Sequence, residues 1–194
     1  MIEKTKDVNH GIFNQQINKS TNQQIVLLRF SVADGLMYAA ATDHGVCRLT
    51  YDVSDEAFET DLMNRYGRPA EYASSSPLLQ SLENQMTHYF MGALTRFDIP
   101  LDFLEGTPFY HQVWRTQQKI PFGQVCSYKW VAEQVGKPRA ARAVGQANRR
   151  SCISILVPCH RVISHSGHLG GFGDRPDVKA FLLDHEGAKY IGGK

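Results

Sequence analysis

The chain has 194 residues, with 21 Lys and Arg against 19 Asp and Glu, for a net charge of +2. That length buries a core as one large or two small domains, and 42% hydrophobic with 21% charged residues is an ordinary globular composition. A uniformly basic nucleic-acid binder is excluded, so any DNA contact must come from a local patch, and no apolar run is long enough for a membrane span.

Residues 1–23 are rich in Asn, Gln and Lys. They read as a polar, loosely ordered leader without the apolar centre of a signal peptide, which makes the cytoplasm the expected location. Cys47, Cys126, Cys152 and Cys159 are widely spaced and form no CxxC pair. They fit free thiols in a reducing compartment, and their spacing does not support a zinc site.

QIVLLRFSV, LMYAAAT and VCRLTYD are separated by the turn signals ADG and DHG, and predict a three-stranded antiparallel meander. Ser54 is placed to cap a helix with Phe58 and Leu62 inward and Gly67 at its end. Ser76-Pro77 opens another, striped by Leu78, Leu82, Met86 and Tyr89 and closing near Gly92. FDIPLDFLEG reads as a connector, with a domain boundary near residue 105.

The second half begins with a helix opened by Thr107-Pro108, followed by a turn at IPFG. Ser127 caps a helix with Val131, Ala132 and Val135 inward, ended by Gly136, and a further helix is predicted from Pro138 to about Arg149. Two short helices about a Gly-Lys-Pro turn form a helix-turn-helix candidate. On the second of them Arg139, Arg142, Gln146 and Arg149 share one face, while Ala140, Val144 and Ala147 share another. Gly145 interrupts this helix where glycine costs about 1 kcal/mol against alanine, which implies a close approach by something else. An arginine-rich face is often merely solvated. Here it lies in the recognition position and carries no carboxylate, which favours phosphate binding.

ILVPCHRVI, residues 155–163, reads as an apolar strand that exits into a thiol, a base and a cation. A free thiol has a pKa near 8.5, and a nearby base or cation raises its thiolate fraction. On an extended chain Cys159 and His160 would point apart, so they cooperate only if the backbone turns or a water bridges them. The histidine needs an orienting carboxylate, and Glu186, at the end of a helix predicted over 177–185, is the candidate. Cys47 and Cys152, set among apolar neighbours, read as structural thiols, and so does Cys126.

VPCHRVI resembles the active-site motif of the O6-alkylguanine-DNA alkyltransferase family, the methylated-DNA–protein-cysteine methyltransferases. FDIPLDFLEGTPFYHQVW, IPFGQVCSY, GKPRAARAVGQAN, GHLGGFG and KAFLLDHEG resemble family blocks in the same order. The resemblance implies a ribonuclease-H-like α/β domain over 24–104, with a three-stranded antiparallel sheet plus helices. A mainly α, winged helix-turn-helix-like domain over 105–194 would follow it. It implies binding to double-stranded DNA through the minor groove, extrusion of the alkylated base, and irreversible transfer of its alkyl group to Cys159. The lesion would be O6-alkylguanine, with O4-methylthymine a second substrate. His160 would deprotonate the thiol through a water, Glu186 would hold the histidine, and Tyr128 would donate to the base. Arg142 would fill the gap left in the stack, with Ala141 and Gly145 allowing close approach. Val157 and Pro158 would offer main-chain contacts. No metal or cofactor is needed, and a monomer is expected.

Five residues at three places depart from the family pattern. Ser151-Cys152 replaces Asn-Pro, Phe172 replaces a tyrosine, and Gly173-Asp174 replaces a small residue followed by glycine. Asp174 would narrow the pocket mouth and favour methyl over benzyl groups. The competing readings are a non-catalytic alkyl-damage-binding protein, a Cys-His hydrolase and a helix-turn-helix regulator. The presence of Cys159 argues against the first. The arginine helix is unexplained by the second.

Overall fold

The computed structural model describes residues 24–32, 35–171 and 175–192. The predicted leader therefore lies outside the described residues, as do Phe172, Gly173 and Asp174. Three apolar runs form β1 (Val26–Val32), β2 (Gly35–Thr42) and β3 (Gly45–Tyr51), antiparallel in sequence order. The sheet has a fourth member that the sequence reading lacked. β4 (Glu71–Tyr72) pairs parallel with β1, giving the order β3-β2-β1-β4. Two exposed residues carry no alternation, so only their position after a helix and the pairing with β1 define this strand.

Side chains alternate across the sheet with period two, except that a β-bulge at Cys47, opposite Ala40 and Ala41, puts Cys47 and Leu49 on opposite faces. Leu27, Tyr38, Ala40 and Cys47 face α1 (Asp55–Tyr66), packing on Phe58, Leu62 and Tyr66. Phe30, Met37, Ala39, Val46 and Leu49 face the other way, onto α2 (Pro77–Phe90) and the helical second half. The helix starts follow the caps. The side chains of Ser54, Ser76, Thr107 and Ser127 each accept a backbone N–H in the first turn of α1, α2, α3 (Pro108–Gln117) and α4 (Tyr128–Gln134). The chain is thus an α/β first half followed by a mainly helical second half, and one apolar core runs through both.

The predicted helix from Pro138 begins three residues later, as α5 (Ala141–Arg149). Lys137 to Ala140 form a tight turn closed by Ala140 N–H donating to the Lys137 carbonyl at 2.8 Å, and Ala140 has no side chain with which to cap. α4, α5 and α3 pack together, and the Trp114 indole N–H donates to the Ala147 carbonyl at 2.9 Å. β5 (Cys126–Ser127) and β6 (Val162–Ile163) pair in parallel, and α6 (Pro176–His185) completes the chain.

Residues 153–157 are not the predicted strand. Val157 N–H reaches the Ile153 carbonyl at 3.0 Å and Leu156 N–H the Ser154 carbonyl at 2.8 Å, so the run folds back on itself. Ile155 sits at φ 68, a left-handed conformation that costs a β-branched residue about 1–3 kcal/mol. An apolar run alone does not distinguish a strand from a buried turn.

The outer edge of β3 anchors this loop. Leu49 N–H donates to the Cys152 carbonyl and Ser154 N–H returns to the Leu49 carbonyl, both at 3.0 Å. Further along the same edge Val46 N–H donates to the Pro100 carbonyl at 2.9 Å, and Asp102 N–H returns to the Val46 carbonyl at 2.9 Å. The second half therefore covers a sheet edge that would otherwise expose unpaired backbone groups. Gly45 permits this seam, because an added Cβ would lie 2.6 Å from the Pro100 carbonyl oxygen. Gly45→Ala is expected to lower unfolding free energy by about 1–3 kcal/mol, the usual penalty of overpacking against fixed backbone. Urea denaturation checks this, and an unchanged midpoint would show that the seam yields freely.

Candidate active site

Pro158 ends the folded-back loop, and Cys159–Arg161 form a single 3₁₀ turn. The backbone turn needed for Cys159 and His160 to cooperate is therefore present. Both side chains are buried, Cys159 at 7% exposure and His160 at 0%.

Glu186 lies at the C-cap of α6 and is itself buried. Its Oε1 accepts from His160 Nε2 at 2.9 Å, from Tyr89 Oη at 2.7 Å and from Arg161 Nη2 at 2.9 Å. Its Oε2 accepts from Arg161 Nε at 2.9 Å and from the Gly123 N–H at 3.2 Å. Arg161 Nη1 continues to the Ile120 carbonyl at 2.6 Å. Burial alone would push this carboxyl up, but the hydrogen bonds from His160 and Arg161 outweigh it and hold the group well below the usual carboxylate range. The same carboxylate fixes the histidine tautomer. With Nε2 donating to Glu186, Nδ1 carries the lone pair, and Nδ1 is buried with no hydrogen-bond partner among the described residues. Burial lowers the His160 pKa despite the carboxylate, so the ring is a neutral base at pH 7.

Burial raises the Cys159 thiol to about 11, opposed by the Lys179 ammonium and by the backbone N–H groups of Cys159 and His160. The resting sulfur is thus a protonated thiol. Lys179 is a site residue absent from the sequence reading. It is fully buried on α6 and donates to the carbonyls of Val162 and Leu169, each at 2.6 Å. Burial pulls it from 10.5 to about 8. Its one sequence signal was a lysine on the apolar side of α6, three and four residues before Leu182 and Leu183. Arg161 and Tyr89 were also missed as Glu186 partners, because one read as a free cation and the other as a core stripe.

Tyr128 reaches the same place from the start of α4. Its hydroxyl donates to the Gly171 carbonyl at 3.2 Å, its ring lies 6.0 Å from Lys179 Nζ, and burial with the nearby Cys159 raises its pKa. A Cβ on Gly145 would meet only the Tyr128 ring, at 3.9 Å, an ordinary contact. Packing within the chain therefore does not require glycine there. Gly145 and Ala141 are half-buried on α5, while Arg139, Arg142, Gln146 and Arg149 are exposed along that helix and its preceding turn, free of ion pairs with the described residues.

Val157 and Pro158 are buried, and their carbonyls accept the Cys159 N–H at 2.7 Å and the Arg161 N–H at 3.0 Å, each keeping a second lone pair. Ser151, at the exit of α5, has a buried hydroxyl oxygen with no partner among the described residues. Cys47 and Cys152 are buried free thiols, raised by burial to about 12 and about 11, and Cys126 is a half-buried one raised to about 12. All three fit the structural reading.

Comparison with known proteins points to one family. Residues 108–188 match the model of the 6-O-methylguanine DNA methyltransferase DNA-binding domain. A methylated-DNA–protein-cysteine methyltransferase of Methanosarcina barkeri is 43% identical over 118 residues, 61% of this chain and 74% of the relative. One from Mycolicibacterium paratuberculosis is 54% identical over 99 residues, 51% of this chain and 59% of the relative. The crystal structure of the Mycobacterium tuberculosis O6-methylguanine methyltransferase superposes with a TM-score of 0.72 at 33% identity, covering 84% of this chain and 93% of that one. An M. tuberculosis OGT crystallised in complex with DNA gives 0.71 at 34% identity, covering 83% and 92%. With a buried thiol beside a carboxylate-held histidine and an arginine-faced helix in the matched region, the chain belongs to the methylated-DNA–protein-cysteine methyltransferase family.

Proposed function

We propose that this protein repairs DNA by direct reversal, moving a methyl or other small alkyl group from O6-alkylguanine to Cys159 once per molecule. The observation that carries this reading is the buried Cys159 thiol followed by a histidine whose Nε2 is locked by Glu186 and whose buried Nδ1 has no partner among the described residues. O4-methylthymine, with the same alkyl–oxygen bond, is the second substrate.

In the transfer, His160 Nδ1 takes the thiol proton, through a bridging water, and the sulfur attacks the alkyl carbon in line. A sulfur–carbon bond forms and the carbon–oxygen bond breaks. The released guanine is reprotonated, with the Tyr128 hydroxyl donating to the base as charge develops. Because the thioether has no exit, the protein is consumed. Lys179 steadies the developing thiolate and, through Val162 and Leu169, the walls around it. The neutral resting thiol is protected from adventitious alkylation, and a base brought alongside an already oriented histidine starts the chemistry.

The α5 arginines Arg142 and Arg149, with Arg139 and Gln146, hold duplex DNA by its phosphates at the minor groove. Arg142 occupies the space of the extruded base, and Ala141 and Gly145 let the backbone approach. Val157 and Pro158 offer their remaining carbonyl lone pairs to the base, and Ser151 offers its hydroxyl to the same loop. In this reading residues 24–104 are a ribonuclease-H-like domain that braces the acceptor loop. Residues 105–194 are the winged helix-turn-helix-like domain that carries the reaction. The protein works as a cytoplasmic monomer.

Intact-mass and peptide spectrometry after mixing with a duplex containing O6-methylguanine is expected to show one added methyl group on the Cys159 peptide, stoichiometric with protein. Cys159→Ala is expected to bind the duplex without mass gain. Binding by the unmodified chain with no transfer would favour a damage-binding protein instead.

The pH dependence follows from the base. With its pKa below 6.5, His160 stays unprotonated from there upward. Single-turnover transfer should fall in acid as His160 is protonated, be highest near pH 7, and decline above about pH 8 as Lys179 loses the proton that steadies the thiolate. Glu186→Gln removes the charge that orients the imidazole and is expected to slow transfer by a factor of about 10²–10⁴, the range of a general base. It should also destabilise the fold by about 3–5 kcal/mol through the unpaired Arg161. Wild-type rates in the folded variant would remove His160 from the mechanism.

A further inference from the structure

A cleft of about 740 Å³ opens between the connector and the turn after α3, away from the thiol, which does not line it. Its volume is that of a small-molecule site. Phe97 and Leu101 form one wall, Ile120 and Phe122 the other, and Leu156 and Pro158 the floor. Two cations, Arg96 and Lys119, line the same cleft. Both are exposed and neither has an ion pair among the described residues. Arg161 is the third cation lining the cleft, but its charge is already satisfied by Glu186.

Among the described residues, no carboxylate side chain lines the cleft. The proposed duplex contact uses α5, none of whose residues reach the cleft, so this volume is not spent on the proposed substrate. Thr95 and Gln118 also line the cleft, so an occupant meets a mixed surface of apolar side chains, two neutral polar side chains and two unneutralised positive charges. A cation would be repelled, and a neutral apolar molecule would leave the charges unanswered. We infer that the cleft between residues 95–101 and 118–122 is a second binding site, for a small amphipathic organic anion that lays an aromatic or aliphatic body on Phe97, Ile120 and Phe122 and sets its acidic group between Arg96 and Lys119.

The site's position gives it a route to the chemistry. Its floor is the back of the loop that leads to Cys159, and Arg161 joins the cleft to Glu186. The inference stands on the cleft alone, independent of the proposed alkyl transfer.

The test uses the full chain and two probes of similar body, 8-anilinonaphthalene-1-sulfonate and uncharged N-phenyl-1-naphthylamine. Fluorescence titration is paired with backbone amide NMR to locate each probe. The expected result is saturable one-to-one binding of the sulfonate, with amide shifts centred on Phe97, Leu101, Ile120 and Phe122. The doubly charge-reversed variant R96E/K119E is expected to bind it about tenfold more weakly, the amount that two exposed ion pairs supply, and to bind the uncharged probe unchanged. Both substituted residues lie outside the proposed alkyl-transfer machinery, so retained methyl transfer by the variant reports an intact fold. Equal affinity of the two probes, indifference to the charge reversal, or shifts centred elsewhere would each overturn the assignment.

Discussion

A single buried carboxylate organises this molecule. Glu186 stands at 5% exposure at the end of α6, where an unpaired charge would be untenable. Its partners are drawn from across the fold: Tyr89 from α2, the Gly123 N–H from the turn after α3, and His160 and Arg161 from the acceptor turn. The first half, the second half and the reactive motif are thus tied to two oxygen atoms. The bond that orients the histidine also keeps the carboxylate ionised in a buried position, so stability and reactivity share one interaction.

Around this hub the thiol is kept quiet and in place. Burial holds it neutral, while Lys179 and nearby backbone N–H groups wait on the side of the thiolate. The loop before it is held in a left-handed bend at Ile155 and pinned on both strands of hydrogen bonding to β3. A strained, over-determined loop holds one geometry, which suits a reaction that occurs only once, because no product release has to undo it. The sheet contributes no reactive group and acts as the wall against which the acceptor loop is set.

Much of this was legible in the sequence where the physics is local. Ser54, Ser76, Thr107 and Ser127 announced their helices because a cap is a property of three or four residues. Cys159, His160 and Glu186 could be named from the motif and the need for an orienting carboxylate, and the structure joins His160 to Glu186. What escaped depends on distant partners. β4 is two residues whose only structural identity is pairing with β1. Lys179 drew no reading of its own, because the carbonyls of Val162 and Leu169 that hold it lie 17 and 10 residues away. Residues 153–157 looked like a strand because burial on all sides erases periodicity, and α5 started late because Ala140 offers no cap.

Proton removal from Cys159 requires His160 to be a neutral base with its proton on Nε2. Nitrogen-15 NMR of histidine-labelled protein, followed from pH 5 to 9 before any DNA is added, reads this directly. The predicted spectrum at pH 7 has a protonated, coupled Nε2 and a bare Nδ1 for His160, unchanged to high pH and giving way to the imidazolium only well into acid. A ring that is doubly protonated at pH 7, or one with its proton on Nδ1, would contradict the carboxylate-centred account.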